Sequence, residues 1–105
     1  MPNGHDKNWV RLRAAIAGFY LRHARWPNRV RVRPGVIANL RSGLFSEEAF
    51  SKLVGRLALE PDEQGTFIAE DDDGQYNYGT EGFAPGWHGV EVAGWLDVKP
   101  DRHKA

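Results

Sequence analysis

Cysteine is missing from this 105-residue chain. Its absence excludes a disulfide framework, a thiolate nucleophile and Cys-ligated zinc, and it fits a reducing compartment. Long apolar runs are missing too. None approaches the roughly 20 residues needed to cross a bilayer, so no membrane role is expected. The first residues, Met1-Pro2-Asn3-Gly4-His5-Asp6, lack the apolar stretch of a secretory signal, and the expected location is the cytoplasm. Internal repeats and low-complexity segments are also lacking. The length suits one domain with a single core, with flexible tails expected at 1–6 and 100–105.

Net charge is absent in total but not locally. Lys, Arg, Asp and Glu sum to a formal zero. Residues 1–56 carry eleven bases against three acids (Asp6, Glu47, Glu48), and residues 57–105 carry three bases against eleven acids. A chain sorted in this way either holds its two halves together by charge or presents surfaces of opposite sign to partners. Four Trp, three Tyr and five Phe supply anchors for a small core.

Helical periodicity is clearest over residues 7–25, where Trp9, Leu12, Ile16, Phe19, Tyr20 and His23 share a face, with Asp6 as the expected N-cap. Pro27 stops this helix. A second apolar patch (Val10, Ala14, Ala17, Leu21, Ala24) leaves only a narrow polar strip of Arg11, Gly18, Arg22 and Arg25. So little polar face predicts cover on two sides, from within the chain or in a homodimer through this helix.

Residues 29–33 alternate Arg and Val, a short strand with one wet, basic face. Pro34 opens a helix running to about Ser42, which Gly43 closes. Ser46 caps the next helix, with Glu47 and Glu48 in its positive first turn and Phe50, Leu53, Val54 and Leu57 as its buried stripe. Strands are expected at 57–60, 66–70 and 75–78. The last two form a hairpin around Asp71-Asp72-Asp73-Gly74, because Asp-Gly suits a tight turn. Residues 87–98 fit helix and strand periodicities equally. The expected fold is α+β: an N-terminal amphipathic helix and two short helices on one face of a three- or four-stranded, mostly antiparallel sheet. A crossover through the two short helices would set the first strand parallel to a later one.

Arg22, Arg25, Arg29, Arg31 and Arg33, with Trp26 among them, are the foremost binding candidates. Guanidinium forks hold phosphates or carboxylates, and an indole can stack on a base. Glu70, Asp71, Asp72 and Asp73 form the acidic counterpart, a docking surface for a basic partner or a solvated hairpin tip. The acidic run does not fit an EF-hand loop: with Gly74 in sixth place, Ala69 would stand first and Thr80 twelfth.

His5, His23, His88 and His103 lack metal-ligand spacing, and no metal is expected. His88, in a glycine-rich loop near Glu81 and Glu91, is the candidate general base if the chain is an enzyme. No serine stands in a nucleophile elbow. Gly79, Gly82, Gly86 and Gly89 lack the strand–turn–helix context of a phosphate cradle. No catalytic residue and no cofactor are assigned.

The expected function is therefore a small non-enzymatic module that engages a protein or nucleoprotein partner through its charged faces. An inhibitor encoded by a mobile element or phage would fit that description. One alternative is nucleic-acid binding by the Arg22–Arg33 cluster. The other is a small hydrolase or ligand-binding enzyme with His88 as base.

Overall fold

Alternation at residues 29–32 sets the architecture. Val30 and Val32 are fully buried, whereas Arg29 and Arg31 keep to the opposite face of strand β1 (Arg29–Val32). A computed structural model describes residues 4–98, with side chains from Lys7 onward. The expected tails fall mostly outside the described residues, which exclude 1–3 and 99–105. The backbone of residues 4–6 forms the first turn of helix α1 (Gly4–His23), so the helix begins ahead of the expected cap at Asp6.

After β1 come α2 (Pro34–Asn39), a π-turn (Leu40–Leu44), α3 (Glu47–Arg56) and β2 (Ala58–Pro61). Then follow β3 (Thr66–Glu70), β4 (Gln75–Asn77), α4 (Tyr78–Glu81), a 3-10 turn (Trp87–Gly89) and α5 (Val92–Leu96). The helix expected to close at Gly43 instead runs into the π-turn, where the Phe45 N–H donates to the Leu40 carbonyl (3.0 Å). Ser46 does cap α3, its hydroxyl accepting from the Ala49 N–H (3.1 Å). Residues 87–98 resolve as helical turns. The short length of α5 and the left-handed Asp97 that ends it (φ 59°) explain why periodicity alone could not decide.

The four-stranded sheet has the order β2-β1-β3-β4. β1 and β2 are parallel and the other pairs antiparallel. The two-helix crossover thus makes the sheet mixed, and the fold is α+β with helices packed on a sheet. Residues 57–60 and 66–70 are not hairpin neighbours, because β1 lies between them.

Pairs of residues across a register share a face. Val30, Leu59, Ala69 and Tyr76 therefore line the core side, while Arg29, Glu70 and Gln75 line the other. The register slips between Arg31 and Val32, leaving Phe67 as an unpaired extra residue at φ 62°. That bulge presents Phe67 to Tyr78 (6.2 Å, edge-on). Tyr76 and Phe67 are buried as core residues, while Tyr78 starts α4 and is half-buried.

The outer edge at β2 is short and lacks one donor. Ala58 and Asp62 donate to the Asn28 and Val32 carbonyls, so Leu59 and Pro61 direct their main chain outward. Pro61 has no N–H to offer there.

Helix α1 is buried on nearly every side. Leu12, Ala14, Ala15, Ile16, Ala17 and Phe19 are all fully buried. Gly18, expected on the polar strip, packs instead against the Tyr76 ring, which would lie 2.4 Å from an added Cβ. The second apolar patch is thus covered largely by the chain itself at Ala14 and Ala17, with Leu21 left 46% exposed in the last turn. Ala24, at φ 58°, turns the chain out of the helix toward β1.

Candidate functional site

Charge separated along the chain becomes charge paired in the fold. The register sets Arg29 directly across from Glu70. The Arg29 Nε donates to Glu70 Oε2 (2.8 Å), and Arg31 Nη2 donates to Glu70 Oε1 (3.2 Å). Arg31 Nη1 also reaches Asp62 Oδ2 (3.2 Å), and Arg29 Nη1 lies 3.4 Å from Asp72 Oδ1. At the end of α1, Arg25 forms a two-pronged bond to Asp71 (2.6 and 3.0 Å). Arg22 pairs with Glu81 and lies over the Tyr76 ring at 4.9 Å.

Titration follows the pairing. Donating hydrogen bonds to Glu81, Asp71 and Glu70 raises the pKa values of Arg22, Arg25 and Arg29 respectively. Arg25 holds the Asp71 carboxyl well below the usual carboxylate range, helped by the backbone N–H groups of Asp73 and Gly74. Arg22 likewise lowers the Glu81 carboxyl.

Of the two arrangements that the charge pattern allowed, these contacts are those of halves held together within the fold. Four of the five candidate arginines are occupied, and Arg33 alone of that set has no acidic partner among the described residues. Of the acidic candidates, Glu70 and Asp71 are held by arginines. Asp72 is 89% exposed on its side chain, and Asp73 is exposed at the hairpin tip. Trp26 is occupied as well. It stacks on Trp95 (4.5 Å, 4°) and meets Tyr20 (4.3 Å, 36°), which removes the indole faces meant for a base.

The histidine candidates acquire no catalytic geometry. His23 rests on Phe19 (4.5 Å) and beside the Gln75 carbonyl (3.4 Å). His88 is exposed and lies against Trp87 (4.3 Å), with no hydrogen-bonded carboxylate among the described residues. A base needs its proton acceptor oriented by a partner or a pocket, and the hydrolase reading loses that support. Between α3 and α5, Lys52, Gly55, Arg56, Leu96 and Asp97 line an open cavity of about 270 Å³. Lys52 Nζ lies 3.6 Å from Asp97 Oδ2 at this cavity. It is smaller than an ordinary small-molecule site.

A different cluster gathers where the loop after α4 folds back on α1. Arg13 lies over Trp9 at 5.4 Å and over Trp87 at 5.6 Å. Trp87 in turn stacks on Phe83 (5.1 Å, 30°) and on His88, and Phe83 meets Tyr78 edge-on (5.2 Å). Phe83 is 50% exposed, the most open large apolar side chain among the described residues. Gly82 (φ 69°) and Gly86 (φ 85°) provide the left-handed bends around it. The Tyr76 hydroxyl ties the loop to the sheet by donating to the Gly82 carbonyl (2.6 Å).

Arg13 itself is anomalous. Its Nε, like that of Arg31, is sealed from solvent without a hydrogen-bond partner, and burial lowers the Arg13 pKa. No carboxylate among the described residues lies within 4.0 Å of it. Sequence reading passed over Arg13, Phe83 and Trp87. The only local signal was Trp9 and Arg13 at helical i, i+4 spacing, since Trp87 and Phe83 arrive from a loop far along the chain. The chain matches no protein-family model, and comparison with curated proteins and with solved structures found no significant similarity.

Proposed function

We propose that this chain is a small binding module that engages a protein partner through the surface formed by Phe83, Trp87, His88 and Arg13. The observation that carries this reading is the half-exposed Phe83 stacked on Trp87, beside a guanidinium without a counter-charge. Binding hot spots are enriched in Trp, Tyr and Arg. An aromatic ring backed by a second ring loses little conformational freedom on docking. The charged faces offer less. Arg22, Arg25, Arg29 and Arg31 already hold carboxylates, so a polyanion would have to displace them.

The experiment is quantitative affinity capture from the native cell, with and without nuclease. It compares wild type, Phe83→Asp, and an Arg25→Ala, Arg29→Ala, Arg31→Ala triple variant, each checked for fold by circular dichroism. The expected result is a nuclease-resistant protein partner that Phe83→Asp loses and the triple variant keeps. The opposite pattern, or a partner released by nuclease, overturns the proposal in favour of a charged or nucleic-acid interface.

A further inference from the structure

Arg13 carries an inference that rests on the proposed docking surface and deepens it. We infer that the Arg13 guanidinium receives a carboxylate of the partner, so that the bound segment carries an Asp or Glu next to the apolar side chain that covers Phe83.

Arg22, Arg25, Arg29 and Arg31 each hold at least one carboxylate within 4.0 Å. Arg11, Arg33, Arg41 and Arg56 hold none among the described residues but are exposed to water, whereas Arg13 is half-buried, with two indoles and no acid among the described residues. Indole faces attract a cation but do not neutralise it. A partly buried charge without a counter-ion is costly, and it selects for an incoming anion and against an incoming cation.

Geometry narrows the chemistry further. Trp9 and Trp87 flank the guanidinium, so little side-chain entropy remains to be lost on binding. Nε is sealed, which leaves Nη1 and Nη2 to meet a carboxylate end-on with two parallel hydrogen bonds. One guanidinium matches the single charge of a carboxylate, whereas phosphorylated segments are generally held by clusters of arginines. The neighbouring surface is apolar, at Phe83 and Trp87, so the acidic residue of the partner has an apolar neighbour.

The test uses pools of heptapeptides with random flanking residues and the central residue fixed as Glu, Gln or phosphoserine. The pools are applied to wild type, Arg13→Gln, Arg13→Lys and Phe83→Ser. ¹⁵N spectra verify that each variant keeps its fold, and they follow the sealed Arg13 Nε–H and the Trp87 indole N–H in wild type. The expected result is retention of the Glu pool at least about tenfold above the Gln pool, with the Arg13 and Trp87 resonances shifting on binding. Arg13→Gln removes that preference, and Arg13→Lys, which lacks the planar fork, keeps only part of it. The inference is overturned by equal retention of the Glu and Gln pools, by a Glu preference that survives Arg13→Gln, or by stronger retention of the phosphoserine pool. If the Glu and Gln pools bind equally and Phe83→Ser loses both, the docking surface stands and the carboxylate assignment alone falls. If Phe83→Ser changes nothing, both fall.

Discussion

Arg29 and Glu70 face each other across the β1–β3 ladder, joined by a 2.8 Å hydrogen bond from Nε to Oε2. The same carboxylate takes a second bond from Arg31, so one acid holds two arginines on the open side of the sheet. Glu70 is only 12% exposed on its side chain, whereas Asp72, the other partner of Arg29, is 89% exposed. Burial decides which contact matters, because exposed ion pairs contribute little. Glu70→Gln is expected to lower the urea midpoint of unfolding at neutral pH. Asp72→Asn should leave it within experimental error, and a midpoint loss for Asp72→Asn equal to that for Glu70→Gln would contradict this ranking.

Two helical glycines should respond to alanine with opposite signs. An added Cβ at Gly18 meets the Tyr76 ring at 2.4 Å, while at Gly55 it meets nothing within 4 Å. Gly55→Ala is expected to stabilise by about 0.5–1 kcal/mol through helix propensity. Gly18→Ala forces the ring aside and should destabilise by about 1–3 kcal/mol. Denaturant unfolding of both variants checks the pair of signs.

Acid should weaken the fold through Asp71 and Glu81. Both carboxyls are held below their ordinary range, Asp71 chiefly by Arg25 and Glu81 chiefly by Arg22. At moderately low pH the unfolded chain therefore binds more protons than the native one. The stabilisation is complete above roughly pH 5 and fades as pH falls toward the depressed native values. Measured between pH 6 and 2, unfolding free energy should fall with a shallower slope in Asp71→Asn than in wild type. Equal slopes would show that Asp71 does not contribute.

Helix α1 needs no second copy to cover it, since Ala14, Ala17 and Gly18 are enclosed by the chain itself. Light scattering is expected to return the monomer mass of 11.8 kDa, unchanged by Leu21→Glu. A doubled mass that Leu21→Glu halves would place a dimer at the exposed last turn.

Local signals carried the first helix, the Arg–Val strand, the Ser46 cap and the Asp-Gly hairpin, because each depends on neighbours within a few residues. The parallel β1–β2 pair was legible as a consequence of the intervening helices. Pairing across the sheet was not. Whether Arg29 meets Glu70 or water depends on register, and the bulge at Phe67 leaves no mark in composition. Trp26 read as a free stacking surface because Trp95, which covers it, lies in a segment whose periodicity was ambiguous. The cluster at Arg13 was hidden because Phe83, Trp87 and His88 come from the loop at 82–91, far along the chain, and only Trp9 comes from its own helix.

The central claim is that the arginines of the first half and the acids of the second satisfy each other within one fold, leaving recognition to the aromatic surface at Arg13. The sign of the salt dependence of stability tests it most directly. Urea unfolding at pH 7 is measured from about 10 mM to 0.5 M NaCl, where the screening length falls from about 30 Å to under 8 Å. Paired charges predict that stability declines as salt rises, and that Glu70→Gln flattens the decline. Stability that rises with salt would mean that like charges face one another unpaired, and would contradict the account.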